Sequence, residues 1–314
     1  MHQVGPNEQG TRRIGIGLAL AAAVISGFSV YVNAQAVRAF GDPLLYTTIK
    51  NLIAAAGLLA LVSLMAARLP AERLTRPRGA RAILGLAFIG VVGGGIAFAL
   101  FFAGLAQTAV ASAGFIQKSL VIWVAILAVV LLRERFGLWH VLAIALLVAG
   151  QIASLGSVAL PAMQSGEAMI FAATLLWSLE VIVAKRLLAQ LSPLTVGLAR
   201  MGGGGAVLVA FAIGTGATAS LASLTLTQWA WVALTGVILT AYVAVWLSAL
   251  ARAQATDVTA MLVFGAVITA VVSSGGQLEG LAPNALGFVL IAAGTAFIAV
   301  LATRSQRLVR QPQM

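Results

Sequence analysis

Residues 114–135 read GFIQKSLVIWVAILAVVLLRER. At about 1.5 Å per helical residue this run crosses the roughly 30 Å of a bilayer's hydrocarbon. It closes on Arg133-Glu134-Arg135 and encloses Lys118. A charge near the bilayer centre costs about 2.5–3.5 kcal/mol on insertion scales, so such a residue is expected to serve a function. Working outward, similar segments recur on both sides. With this one they fall near 14–37, 44–66, 82–104, 109–132, 138–156, 167–187, 194–214, 228–250, 257–277 and 284–303. The fold expected is all-α, an integral membrane protein of ten transmembrane helices.

Composition agrees. The 314 residues are 61% hydrophobic and 9% charged, with mean hydropathy +1.05. A soluble domain is about half apolar and about a quarter charged, and no such domain remains outside the ten segments. The absence of cysteine excludes disulfides, thiol catalysis and cysteine-ligated metal. The two histidines, His2 and His140, form no cluster, and no cofactor or metal is expected. The net charge of +11 reflects basic loops, not nucleic-acid binding. Alternate connections hold Arg12 and Arg13; Arg68, Arg73, Arg76, Arg78 and Arg81; Arg133 and Arg135; Lys185 and Arg186; Arg252; and Arg304, Arg307 and Arg310. The opposite connections hold Arg38 alone. The positive-inside rule then places both termini in the cytoplasm and the protein in the cytoplasmic (inner) membrane. The first segment reads as a retained span, not a cleaved signal.

A repeat is visible. Ser192-Pro193-Leu194-Thr195 opens the seventh span as Asp42-Pro43-Leu44-Leu45 opens the second, and the same spacing relates Lys50 to Arg200. LRERFGLWHVLAIALLVAG at 132–150 resembles GQLEGLAPNALGFVLIAAG at 276–294. Five helices per half is an odd number, so the halves are expected to sit inverted, an arrangement that places a substrate site at the midplane between them. The domains expected are a polar, disordered N-terminal tail at 1–13, a first repeat at 14–156, an external linker at 157–166, a second repeat at 167–303 and a basic tail at 304–314.

The run LLRERFGLWHVLAIALLVAG and the stretch GEAMIFAATLLWSLEVIVAKRLLAQLSPLTVGLAR at 166–200 resemble the repeat ends of the drug/metabolite transporter superfamily, EamA type. The resemblance covers roughly 14–303 and implies a ten-helix permease. It leaves the substrate open among amino acids, nucleobases, sugar phosphates, drugs and other metabolites. The family often carries a proline in its fourth and ninth spans; this chain has none there, and the family's kink is not assumed.

The candidate residues are the polar ones inside spans. Measured from span midpoints, Lys118 lies about 5 Å and Lys50 about 8 Å to the outer side, Glu180 about 3 Å and Arg200 about 6 Å to the inner side. Lys118 is read as contacting substrate or carrying a proton, or alternatively as donating to backbone carbonyls or Gln117. Lys50 shares a face with Tyr46 and Thr47 and holds an anionic group, with Tyr46 beside it in the substrate site, or snorkels outward. Glu180 and Arg200 either pair to lock the sixth and seventh helices or gate the inner side. Trp177, one turn before Glu180, lines a cavity or packs. Ser26, Ser29 and Asn33 form one stripe on the first helix, facing the pathway or bonding between helices. Gly93 to Gly95 and Gly202 to Gly205 read as close helix approaches or hinges. Glu134, Glu279 and Asp257 read as caps or surface charges.

The function expected is secondary active transport, by alternating access, of a small organic metabolite carrying a carboxylate or other anionic group. An amino acid or organic acid fits, with protons or exchange as the coupling. The resemblance implies export. The nearest alternative is a multidrug exporter of cations with the same fold, and the alternative of another class is a non-transporting sensor or assembly subunit. No enzymatic constellation is found. Oligomeric state is left open.

Overall fold

The computed structural model describes residues 6–65, 74–154 and 164–304. The expectations for the basic loop at 66–73, for the fifth span's end at 155–156, for the linker up to 163 and for the tail beyond 304 fall outside these residues. The described residues form an all-helical bundle without strands. Its helices are α1 (Pro6–Phe40), α2 (Pro43–Met65), α3 (Ala80–Gln107), α4 (Val110–Leu132), α5 (Leu138–Ser154), α6 (Ser165–Leu187), α7 (Pro193–Gly214), α8 (Leu226–Arg252), α9 (Ala255–Ser273) and α10 (Ala285–Arg304). Nine are long and apolar enough to span a membrane, and α5, with 17 residues, is a shorter apolar helix.

Local chemistry explains the boundaries. Asp42 caps α2, its Oδ1 accepting from the backbone N–H groups of Leu44 and Leu45 at 2.9 and 3.0 Å. Ser192 caps α7 the same way through the N–H of Thr195. In both, proline takes the first helical position, where its missing N–H costs nothing. The Thr225–Gln228 capping box opens α8. One expectation is corrected: from Pro6 onward the predicted irregular tail is helical and continuous with the first span. Hydropathy stops counting at Arg12-Arg13, but nothing there breaks a helix, and Arg12 is anchored to α9 as described below.

Helix α1 packs on α8 and α9, α2 on α7 and α8, α3 on α6 and α7, α4 on α6 and α9, and α5 on α10. The α3–α7 crossing is made of glycine. A β-carbon on Gly90 would meet the Ala199 carbonyl oxygen at 2.9 Å and the Gly203 Cα at 3.2 Å; one on Gly94 would overlap the Arg200 carbonyl. Small residues let backbones approach this closely in membranes, as the glycine runs predict. Both helices widen to π geometry here, over Ile89–Ile96 and Ala199–Gly203. A π-bulge releases carbonyls from the regular ladder, and two are reused by side chains. The Gly93 oxygen accepts from Trp177 Nε1 at 3.0 Å, and the Gly94 oxygen from Asn51 Nδ2 at 2.9 Å.

Candidate functional site

The polar stripe on α1 is the anchor of the site. Asn33 Oδ1 accepts from the Tyr46 hydroxyl at 2.7 Å and from Lys50 Nζ at 3.1 Å. A lysine can only donate, which fixes the amide's orientation. Its Nδ2 then donates to the Ser29 carbonyl and hydroxyl oxygens at 2.7 and 2.9 Å. One helical turn is thus tied to two residues of α2. Lys50 is 1% exposed, and its Nζ lies 3.4 Å from the centroid of the Phe102 ring. That cation–π contact offsets part of the ammonium's desolvation, by about 2 kcal/mol in a dry site. Lys118 is 5% exposed and donates to Ser26 Oγ at 2.9 Å. The structural alternative expected Gln117 or a carbonyl as the partner; the structure gives the hydroxyl two turns below Asn33.

Glu180 and Arg200 form a two-pronged pair, Nε to Oε1 and an Nη2 bond to Oε2 at 3.1 Å. Neither Lys50 nor Lys118 has a carboxylate within ion-pair distance among the described residues. Phe98 stands between two cations, its centroid 5.4 Å from Lys50 Nζ and 4.9 Å from Arg200 Cζ.

Two of the spans break beside this site without proline. In α4 the helix runs Val110–Lys118, turns at Ser119 and resumes at Leu120. The Ser119 hydroxyl donates to the Ile116 carbonyl at 2.7 Å, and its N–H is shared between the carbonyls of Phe115 and Ile116. Serine's local bonding competes with the regular ladder. In α9 the break falls at Val263–Phe264, where successive N–H groups bond three residues back. Immediately after it, Gly265 lies under the Lys118 ammonium, 3.2 Å from where a β-carbon would stand. Thr269 clamps α9 to α1, donating to the Gly27 and Gly265 carbonyls.

These elements enclose a cavity with about 890 Å³ free of protein atoms, its mouth included. Ser26, Ser29, Asn33, Lys50, Gln117, Lys118, Trp177, Glu180 and Arg200 all line it. Sequence depth had divided the four charged residues between an outer and an inner half; the structure brings them to one chamber. Tyr46 is corrected: it is fully buried behind Asn33 and forms no part of the lining. The lining also contains Phe98, Phe101, Phe102, Tyr242 and Trp246, together with Val30, Leu239, Thr259 and Leu262. The last four carried no signal, because apolar and hydroxyl residues look alike whether they face cavity, lipid or a neighbouring helix. Among the described residues, three buried side-chain polar atoms of the lining have no hydrogen-bond partner: Arg200 Nη1, Trp246 Nε1 and Gln117 Oε1.

Two residues before Thr259, at the start of α9, a second polar cluster begins. Asp257 is wholly buried and accepts from Arg12 Nη2 at 2.9 Å. His140 Nε2 stands 3.9 Å from its other oxygen. Glu134 accepts from the Ala255 and Thr256 N–H groups and the Thr256 hydroxyl, and Lys185 donates to the Leu250 and Ala253 carbonyls. The reading of Glu134 as a cap holds. Asp257 as a surface charge does not: the helical extension of α1 delivers Arg12 to it.

No curated protein matches this chain significantly. A solved structure described as "Crystal structure of protein" aligns with TM-score 0.67 at 17% identity, covering 92% of this chain and 98% of its own. That likeness bears on the fold alone. The profile of the EamA-like transporter family matches twice in succession, over residues 13–155 and 164–301. With both halves matched and the apolar helices in place, this chain belongs to the EamA-like transporter family, as a multi-pass membrane protein of the drug/metabolite transporter type.

Proposed function

We propose that this chain is a secondary active transporter of a small organic metabolite bearing a carboxylate or another anionic group. The observation that carries the reading is the charge of the cavity lining. Lys50, Lys118 and Arg200 face it, and its one carboxylate, Glu180, is already held by Arg200. Ammonium groups buried without an acid are costly, and an anionic ligand would balance them.

Alternating access between inverted halves is the mechanism that fits. Adding five to each helix number turns the α1–α8 contact into α6–α3, α1–α9 into α6–α4 and α2–α8 into α7–α3. The pairs α2–α7, α4–α9 and α5–α10 map onto themselves, and all of these contacts occur. An inverted repeat predicts such exchange. The glycine crossing and the two broken helices supply places where the halves can move. The lysine and arginine distribution favours cytoplasmic termini in an inner membrane. Export is the direction the family resemblance favours, with Glu180 or Lys118 as the proton carrier or exchange as the coupling. The aromatic lining favours a second reading, a multidrug exporter of cations, against which three lining cations weigh.

The test is flux of labelled organic anions in proteoliposomes, for the wild type, Lys50→Ala and Lys118→Ala. At least a tenfold loss in each variant supports the reading. Unchanged transport of every anion in both overturns it, and transport of cationic dyes alone replaces it with the multidrug reading.

A further inference from the structure

We infer that the substrate is an organic anion with a flat apolar body and no ammonium group, and that the cavity discriminates against the matching α-amino acid. The inference rests on the transporter reading above and narrows its substrate.

It comes from counting hydrogen-bonding capacity around the chamber. The donors are in surplus. Lys50 makes one hydrogen bond, to Asn33, with its ammonium also over the Phe102 ring, and Lys118 makes one, to Ser26. Arg200 Nη1 and Trp246 Nε1 are buried with no hydrogen-bond partner among the described residues, the guanidinium lying over the Phe98 and Trp246 rings. Buried polar groups in native proteins are nearly always bonded, so these donors call for an acceptor-rich ligand. A carboxylate is acceptor-only, with room for about four bonds.

Side-chain acceptors are fewer, and none carries a free charge. Each Glu180 oxygen accepts a bond from Arg200, whose charge offsets its own, and the Asn33 oxygen accepts from Tyr46 and Lys50. Among the buried lining side chains described, the acceptor without a partner is Gln117 Oε1, which is neutral. The lining hydroxyls of Ser29, Thr259 and Tyr242 can accept, but none carries charge. The ammonium of an amino acid would therefore leave water for a chamber holding three cations, with no free carboxylate to meet it. A site rejects a group it cannot pair far more strongly than one that merely fits badly.

The body of the ligand is set by the rings. Trp177 makes an edge contact with Phe98 and a tilted one with Phe101, centroids 5.4 and 5.1 Å apart. Tyr242 and Trp246, both in the lining, lie within 3° of parallel, centroids 6.1 Å apart. Planar apolar groups pack best on such faces.

The experiment uses the full-length purified protein in detergent and three ligands that share one skeleton and differ in charge: 3-phenylpropanoate, phenylalanine and 2-phenylethylamine. Binding is read from concentration-dependent thermal stabilisation. The expected result is an apparent Kd for 3-phenylpropanoate at least tenfold below that for phenylalanine, with no stabilisation by 2-phenylethylamine. Phenylalanine binding as tightly as 3-phenylpropanoate overturns this inference and leaves the anion reading standing. Stabilisation by 2-phenylethylamine without 3-phenylpropanoate overturns the anion reading itself. No stabilisation by any of the three overturns the class stated here. The variant Gln117→Glu gives the chamber a carboxylate not held by Arg200. It is expected to shift the ratio toward phenylalanine by at least tenfold, and an unchanged ratio counts against the inference.

Discussion

Gly93 has no side chain at the place where the Glu180 carboxylate sits: a β-carbon there would overlap all three carboxyl atoms. The missing side chain and the π-widened backbone of α3 together make the niche in which Glu180 meets Arg200. Gly93→Ala is expected to push Glu180 off the guanidinium and to cost about 1–3 kcal/mol by overpacking. The check is a lowered thermal midpoint together with a weakened ligand-induced shift. By contrast Gly202→Ala, where a β-carbon meets nothing within 4 Å, is expected to be near neutral. Equal effects at the two sites would count against the niche.

The Glu180–Arg200 pair is buried on both sides. Removing one member of such a pair leaves an uncompensated charge and costs about 3–5 kcal/mol, whereas replacing both with apolar groups of similar volume is often neutral. Glu180→Gln and Arg200→Met are each expected to be strongly destabilising. The double variant should be markedly more stable than the sum of the two losses implies. Additive losses in a double-mutant cycle would mean that the pair contributes no coupling.

The sequence made the spans legible because about 20 apolar residues leave little choice of element. It made the charged residues legible because Lys50, Lys118, Glu180 and Arg200 interrupt apolar runs. The convergence of these four on one chamber was hidden. Depth counted from span midpoints ignores helix tilt, the π-widened turns near Gly94 and Arg200, and the reach of a lysine stem. The breaks at Ser119 and Val263–Phe264 were equally hidden, since proline was the signal sought; at Ser119 the side-chain hydroxyl does the work instead, and at Val263–Phe264 the backbone N–H groups bond three residues back. Asp257 was misread because a charge at a span end is usually solvated. Its partner Arg12 lies on a stretch that hydropathy assigns to a tail.

Arg12 and Asp257 tie the N-terminal extension of α1 to the start of α9, one turn from Thr259 of the cavity lining. Arg12→Ala leaves a buried carboxylate with His140 nearby and with Glu134 and Lys185 engaged elsewhere in the cluster. Because Arg12 is partly exposed, the cost should fall toward the lower end of about 3–5 kcal/mol. The check is the thermal midpoint of the variant beside the wild type. A midpoint left unchanged would mean that the Arg12–Asp257 contact contributes nothing to stability.

The two unpaired lysines allow the sharpest separation of function from structure. Methionine keeps most of a lysine's stem and discards the ammonium. In Lys50→Met the side chain still packs on Phe102, and Asn33 Oδ1 keeps its bond from Tyr46. In Lys118→Met only the bond to Ser26 is lost. If these ammonium groups serve the fold, both variants should be destabilised. If they are held for an anion, each variant is relieved of a desolvated charge, and its thermal midpoint should stay level or rise. Carboxylate affinity should meanwhile fall at least tenfold, about 1.4 kcal/mol. The second outcome is expected, because neither lysine has an acid partner among the described residues and both border the cavity. A fall in midpoint with carboxylate binding intact would assign both lysines to the scaffold.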